Sequence, residues 1–314
     1  MKLPRPDLSR LAKVRLTGWR RTAAYGAFFA AAFLFALHRT FPIDAVQDRL
    51  VLEAAAQGWQ LRMNELAHQG LAGIRAREVT LLAQDGARVP IEELTASLRP
   101  LPLLAGRRAV DFDASLFGGR VSGATEEGGQ LRKLRARAEG IDLARASVLR
   151  RLAGVDLAGT LTGDVDLALD ARDPAKSAGS LSLSVRGAAI QGGQVPVAGM
   201  GGALTVPRVG LGTVTLRGAV RNGRLELDKV ESRGEDVELT ADQLFVQLQP
   251  RLEHSPLSGR VRLKLQDAFW QRGPAAGLRP VVDAAVGAAR TADGAYGFQV
   301  YGTVGRPQVR PQAP

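Results

Sequence analysis

Apolar and polar residues alternate along most of the chain after residue 58. In 160–170, apolar side chains alternate with threonine and aspartate, and the same period of two recurs in 180–186, 224–228, 243–249 and 260–266. Because successive side chains of a strand point to opposite faces, each segment predicts a strand with one apolar and one polar face. The candidate residues of an apolar groove on that face are Leu161, Val165, Leu167, Leu169, Leu181, Leu183, Val185, Leu225, Leu227, Val261, Leu263 and Leu265.

Short turn sequences separate the predicted strands. Asn222-Gly223 and Asp293-Gly294 supply the positive φ angles that two-residue hairpins need, and Gly192-Gly193 is a further turn signal. The pattern therefore predicts a mainly β fold, in which a long antiparallel meander occupies most of residues 42–314.

Few helices are predicted beside these strands. Residues 43–57, 142–153 and 275–290 carry apolar residues at helical spacing, and Gly58 is a suitable end for the first helix. The two short helices after residue 58 are too few to cover the apolar face of so many strands. Three arrangements therefore stay open: a barrel, a two-sheet sandwich, or an open groove that holds something apolar.

An uncharged apolar segment near the N-terminus predicts a membrane anchor. With its flanks it extends over residues 22–41, a length that spans roughly 30 Å as a helix and matches a bilayer core. Pro42 is a suitable end for this helix. The candidate anchor residues are Ala23, Phe28, Phe29, Phe33, Leu34, Phe35 and Leu37.

The charges before this segment predict its orientation. Residues 1–21 contain seven basic residues and one acidic residue, so the positive-inside rule places this tail in the cytoplasm and residues 42–314 across the membrane. A cleavable signal peptide is the alternative that stays open. No small-x-small cleavage site follows Leu37, and this favours an uncleaved, single-pass anchor.

The remaining composition argues against several classes of function. The net charge is +11, but the basic excess is concentrated in the tail and has no interleaved aromatic residues, so nucleic-acid binding is not indicated. The chain has no cysteine, which excludes disulfides and thiolate chemistry, and its three histidines have no metal-ligand spacing. Asp164 and Asp166 fall on the polar face of one predicted strand, where acidic residues are ordinary. We therefore predict no catalytic residue, no metal and no cofactor.

The order of these features resembles a known family, protein N of the type II secretion system, in its long form with an AsmA-like exported domain. The resemblance covers most of the chain, and its most specific motifs are turns and strand ends in the C-terminal third. The segments that carry it are 71–79, 118–123, 209–212, 221–225, 232–238, 252–257, 293–298 and 301–307.

This resemblance implies a non-enzymatic component of the type II secretion system, anchored in the inner membrane with its bulk in the periplasm. Its partners would be other secretion proteins of the inner membrane and periplasm, contacted through exposed strand edges. The AsmA-like relatives imply an alternative, in which the protein binds or transfers membrane lipid along an apolar β groove. The resemblance supplies no catalytic residues.

Overall fold

The fold is described from a computed structural model that covers residues 43–56, 58–70, 72–83, 86, 88–146, 155–170, 172–196, 203–249 and 254–312. Its α-helices are α1 (Ile43–Ala56), α2 (Pro100–Leu104), α3 (Asp267–Trp270), α4 (Gly273–Ala276) and α5 (Arg279–Val286). The strands are β1 (Trp59–Arg62), β2 (Glu65–Gln69), β3 (Gly73–Ala83), β4 (Arg88–Leu98), β5 (Arg108–Leu116), β6 (Gly119–Gly128), β7 (Leu131–Asp142), β8 (Leu157–Asp170), β9 (Ala178–Ile190), β10 (Gly193–Pro196), β11 (Ala203–Val206), β12 (Val209–Arg221), β13 (Arg224–Arg233), β14 (Val237–Gln247), β15 (Pro256–Leu265), β16 (Tyr296–Thr303) and β17 (Arg306–Pro311).

One antiparallel sheet of 15 strands dominates the described part of the chain. Strands β3 to β9 and β12 to β17 pair in chain order, β1 and β2 share the free side of β3, and β10 and β11 form a separate two-stranded ribbon. The sheet is open, because β17 does not pair with β1 or β2. The prediction of a mainly antiparallel β fold is confirmed, and the strands that the structure describes do not close into a barrel.

The two ends of this sheet are built differently. At the end we call the turn end, the strands are joined by residues 99–107, 129–130, 222–223 and 304–305, among other short connections. At the opposite end, the helical end, the longer connections 143–156, 191–208 and 266–295 join the strands. Asn222 and Gly223 both have positive φ, as a two-residue hairpin requires.

The predicted helices are found with different lengths. The first is α1, close to the predicted range. The second prediction is wrong at its start, because Ile141 and Asp142 end strand β7, while residues 147–154 lie outside the described residues. The third is divided into α4, α5 and a 3-10 turn at Gly287–Ala289. Gly192-Gly193 leads into the ribbon strand β10, so it does not join two strands of the main sheet.

The last strand, β17, forms an edge that is poor in hydrogen-bond donors. The backbone N–H of Gln312 donates to the carbonyl of Gly297 at 2.9 Å, which fixes the alternation of the β16–β17 ladder. By that alternation Pro307, Val309 and Pro311 turn their backbone nitrogens away from β16. Proline has no N–H, so only Val309 offers a donor to a further strand here.

Among the described residues, no helix is both long and apolar enough to cross a bilayer. The predicted anchor at residues 22–41 lies outside the described residues.

Candidate functional site

The register of the sheet brings the predicted apolar residues onto one face. Val165 pairs with Leu181, and Leu161 pairs with Val185, across β8 and β9. The same face continues through strands that carry further predicted residues, because each cross-strand partner shares a face. The pairs that extend it are Leu183 with Leu216, Val220 with Leu225, Leu227 with Leu244, Leu239 with Leu263, and Val237 with Leu265.

This apolar face is covered only in part. All twelve predicted residues are half-buried, and none falls in the buried class that a core strand contributes. A sandwich or a closed core would bury such leucines and valines almost completely. The face therefore presents a row of accessible apolar side chains across the middle of the sheet.

Glycines on this face lie beneath the large side chains of neighbouring strands. A Cβ added to Gly163 would lie 2.4 Å from Leu183 Cδ2, and one added to Gly179 would lie 2.8 Å from Leu167 Cδ2. The leucines therefore lie over the glycines instead of standing upright, and they fill the space that a side chain would occupy. The result is a shallow floor without deep side-chain pockets.

Several residues of this face were not predicted. Leu134 pairs with Leu167, Leu183 pairs with Leu216, and Val261 pairs with Phe298. Alternation is visible in the sequence of β12 and β7, but alanines and glycines stand at many of the apolar positions and weaken the signal. These residues are identified by the sheet register, which places them opposite residues of strands that alternate strongly.

The helical end of the apolar face is covered. Phe269 of α3 and Ala275 of α4 are buried against Val209 and Val237, in a cluster that also contacts Leu265. A second cluster joins Phe117, Ile141 and Ala146, and packs on Val121 and Leu161 of the same face. The described structure has no comparable buried cluster at the turn end.

A buried carboxylate fastens the helical segment to the sheet. The side chain of Asp236, immediately before β14, is 2 % exposed, and its Oδ1 lies 2.9 Å from Nη1 of Arg272. The other oxygen, Oδ2, accepts hydrogen bonds from the backbone N–H of Gly210 at 2.7 Å and from Nη1 of Arg272 at 3.1 Å, whereas Oδ1 has no hydrogen-bond partner among the described residues. A cavity of about 370 Å³ lies beside this pair and is lined by Pro207, Arg208, Glu235 and Phe269 among others. Through Oδ2, Asp236 connects Gly210 of β12 with Arg272 of the turn between α3 and α4, and so holds these helices against the sheet.

The opposite face of the sheet carries ion pairs between strands. Arg137 Nε lies 2.7 Å from Asp164, and Arg135 Nε lies 3.2 Å from Asp166. The hydrogen bond with Asp164 raises the pKa of Arg137, and both side chains are exposed. Asp164 and Asp166 are thus each engaged by an arginine of β7 on the polar face.

No metal centre is present among the residues that the structure describes, since no three histidine, aspartate or glutamate side chains converge there. His68 lies in β2 and His254 precedes β15, so the fold does not bring these two together. His38 lies outside the described residues.

Searches with protein-family models, against curated proteins and against solved structures found no match to this chain.

Proposed function

We propose that this protein is a non-enzymatic lipid-binding protein, held in the inner membrane by residues 22–41, whose apolar sheet face carries the acyl chains of membrane lipid. The observation that carries the proposal is the single-layered apolar face, whose leucines and valines stay half-buried. A contiguous apolar face that no second layer covers commonly marks an interaction site, so an apolar occupant is the simplest cover.

The distribution of charge supports an acyl chain as that occupant. The residues that register places on this face between 161 and 169, 181 and 185, 214 and 220, and 257 and 265 include no charged side chain. At the turn end the same face carries a charged row, in which the strand register places Arg108 opposite Glu127 and Glu127 opposite Arg132. An apolar floor with a polar mouth suits a lipid whose headgroup stays near water.

The apolar face is covered at its helical end and uncovered at its turn end. Phe269 and Phe117 cover the face near the helical connections. A lipid would therefore enter from the turn end with its acyl chains first.

A photo-crosslinking experiment with two adjacent positions tests the proposal. A photoreactive benzophenone amino acid replaces Leu183 on the apolar face or Ser182 on the polar face of β9 in the full chain, in intact cells. We expect lipid adducts at position 183 and none at position 182, detected by mass spectrometry of the purified protein. Equal lipid labelling at both positions would refute lipid binding by this face. The same conclusion would follow if position 183 crosslinked only to other residues of the protein.

We also propose, as the second candidate, that the protein is a component of the type II secretion system. The resemblance of its turn and strand-end segments to protein N of that system supports this candidate. The prolines of β17 disfavour strand addition at that edge, so a protein partner would contact the polar face with its paired arginines and acidic residues. Adducts between position 182 and an inner-membrane or periplasmic secretion protein would support it, and their absence while the secretion system is assembled would count against it.

A further inference from the structure

The loop between β4 and β5 carries the two most exposed leucines of the described chain and a third, partly exposed one. Leu101 is 77 % exposed, Leu103 is 40 % exposed and Leu104 is 87 % exposed. They lie in α2, a five-residue helix with no buried residue, and Pro100 and Pro102 stiffen it. Leucines as exposed as these make few buried contacts with the rest of the fold, and a cluster of exposed apolar residues commonly marks an interaction site.

Basic residues flank this apolar tip on both sides. The segment from Arg99 to Arg108 contains three arginines and no acidic residue. Arg99 and Arg107 form ion pairs with Asp111 and Glu126, whereas no ion pair of Arg108 is found among the described residues. Leucines bracketed by arginines match the interface of an anionic bilayer, where apolar side chains enter the acyl boundary and cations stay with the headgroups.

The position of α1 indicates that the loop containing α2 lies at the end of the sheet nearest the predicted membrane anchor. Helix α1 contacts both β1 and β2, so it folds back along the edge of the sheet after Gly58. Strand β2 runs towards the turn end, because its last residue, Gln69, pairs with Gly73 of β3. The start of α1, which follows the predicted anchor directly, is therefore directed towards the end that carries α2.

Two further turns add apolar residues to this end. Leu131, at the start of β7, is 36 % exposed, and Val304, between β16 and β17, is 37 % exposed. Their strands also begin or end at the turn end. The apolar character of this end is therefore not confined to one loop.

We propose that α2 and its flanking arginines dock the turn end of the sheet onto an anionic bilayer surface, with Leu101 and Leu104 inserted among the acyl chains. This docking does not depend on whether the apolar face carries lipid. It sets the domain on the membrane with the uncovered end of that face against the bilayer.

The absence of native cysteine allows a direct measurement of insertion. The full chain with Leu104→Cys is labelled with an environment-sensitive fluorophore and reconstituted into vesicles of phosphatidylcholine and phosphatidylglycerol. Ala292→Cys, an exposed position at the helical end, is the matched control. We expect quenching by lipids with a nitroxide on the acyl chain at position 104 and none at position 292. Fluorescence at 104 that is as insensitive to these lipids as at 292 would overturn the proposal.

Two variants separate the apolar and the electrostatic contributions. With the label on Leu104→Cys, Leu101→Ser should reduce the quenched fraction. Arg108→Gln should lower the docking equilibrium constant about fivefold in anionic vesicles and leave it unchanged in neutral ones. Equal effects of Arg108→Gln in both vesicles would refute anionic recognition. Shielding of position 104 in native membranes but not in pure lipid would show that a protein, and not the bilayer, covers the tip.

Discussion

The carboxylate of Asp236 and the guanidinium of Arg272 meet at 2.9 Å with very different exposures, 2 % and 52 %. The acidic partner belongs to the sheet and the basic one to the turn between α3 and α4. Their pairing is a charged contact that ties helices α3 and α4 to the strands whose apolar face they cover.

Removal of the basic partner should destabilise the fold measurably. Arg272→Ala leaves the buried carboxylate of Asp236 with the N–H of Gly210 as its remaining strong partner, at a cost of about 1–3 kcal/mol in the free energy of unfolding. Chemical denaturation measures this change. The matched control is Arg137→Ala, which removes an ion pair of similar length between exposed side chains and should leave the denaturation midpoint unchanged. Equal effects of the two variants would contradict the anchoring role of Asp236.

Because leucines lie over the glycines of the apolar face, we predict that even a methyl side chain at such a glycine lowers the stability of the fold. Gly163→Ala adds a Cβ that meets the carbonyl of Ser182 at 2.6 Å as well as Leu183, so backbone must shift and stability should fall by about 1–3 kcal/mol. Gly277→Ala is the control, since its Cβ would meet nothing within 4 Å and its φ of −75° suits alanine. We expect Gly277→Ala to be neutral or stabilising by up to about 1 kcal/mol. A Gly163→Ala protein that melts like the parent would show that the leucines do not rest on the glycines.

The buried tyrosine at the start of β16 predicts a pH-dependent contribution to stability. The Tyr296 hydroxyl donates to Asp283 at 2.7 Å, and burial, together with this bond, raises the pKa of Tyr296. A raised pKa in the folded state means that the stabilisation is complete below the unfolded value, about 10, and is lost as pH rises through the folded value. Tyr296→Phe should therefore cost about 1 kcal/mol at neutral pH.

Comparison of the two proteins across the alkaline range isolates this effect. The stability difference between parent and Tyr296→Phe should shrink above pH about 10. Asp283→Asn weakens the same bond by removing the charged acceptor, and it should also reduce the difference. If the stability difference between parent and Tyr296→Phe stays constant from neutral to alkaline pH, the hydrogen bond is not its origin.

We predict that Pro307 and Pro311 of the edge strand β17 prevent a further strand from adding to the sheet. Pro307→Val together with Pro311→Val restores two outward N–H donors beside that of Val309, so β17 becomes a template for another strand. We expect concentration-dependent dimers or larger species by light scattering, with no loss of sheet in the monomer. A control with Gln308→Val and Arg310→Val changes side chains but no outward donor. If this control associates as strongly, side-chain apolarity rather than the strand edge is responsible.

The alternation around Leu183 and Ser182 was enough to predict a strand with two unlike faces. Its period of two reports directly on which way each side chain points. The openness of the sheet did not follow from that pattern, because an apolar side chain alternates in the same way whether it faces a second sheet or solvent. In this fold the apolar face is covered at one end only, by Phe117 and Phe269. Neither residue belongs to an alternating segment, so the pattern did not indicate how much of the face is covered.

The exposed tip at Leu101 and Leu104 also escaped the sequence analysis. A short run of leucine and proline is compatible with a buried turn, a helix start or a surface loop. What decides between them is whether another element of the fold packs against the turn, and no described element buries these leucines. Exposure of this kind is a property of the assembled sheet.

The leucines that lie over glycines have a consequence for motion along the sheet. With Gly163 under Leu183 and Gly179 under Leu167, the face offers few steps that would hold a methylene chain at one register. A bound hydrocarbon would meet little friction along the strands and would be retained by its total contact area rather than by a fitted cavity. If the proposed lipid binding holds, such a surface would accept acyl chains of different length and saturation, and would let a bound lipid leave from the end at which it entered.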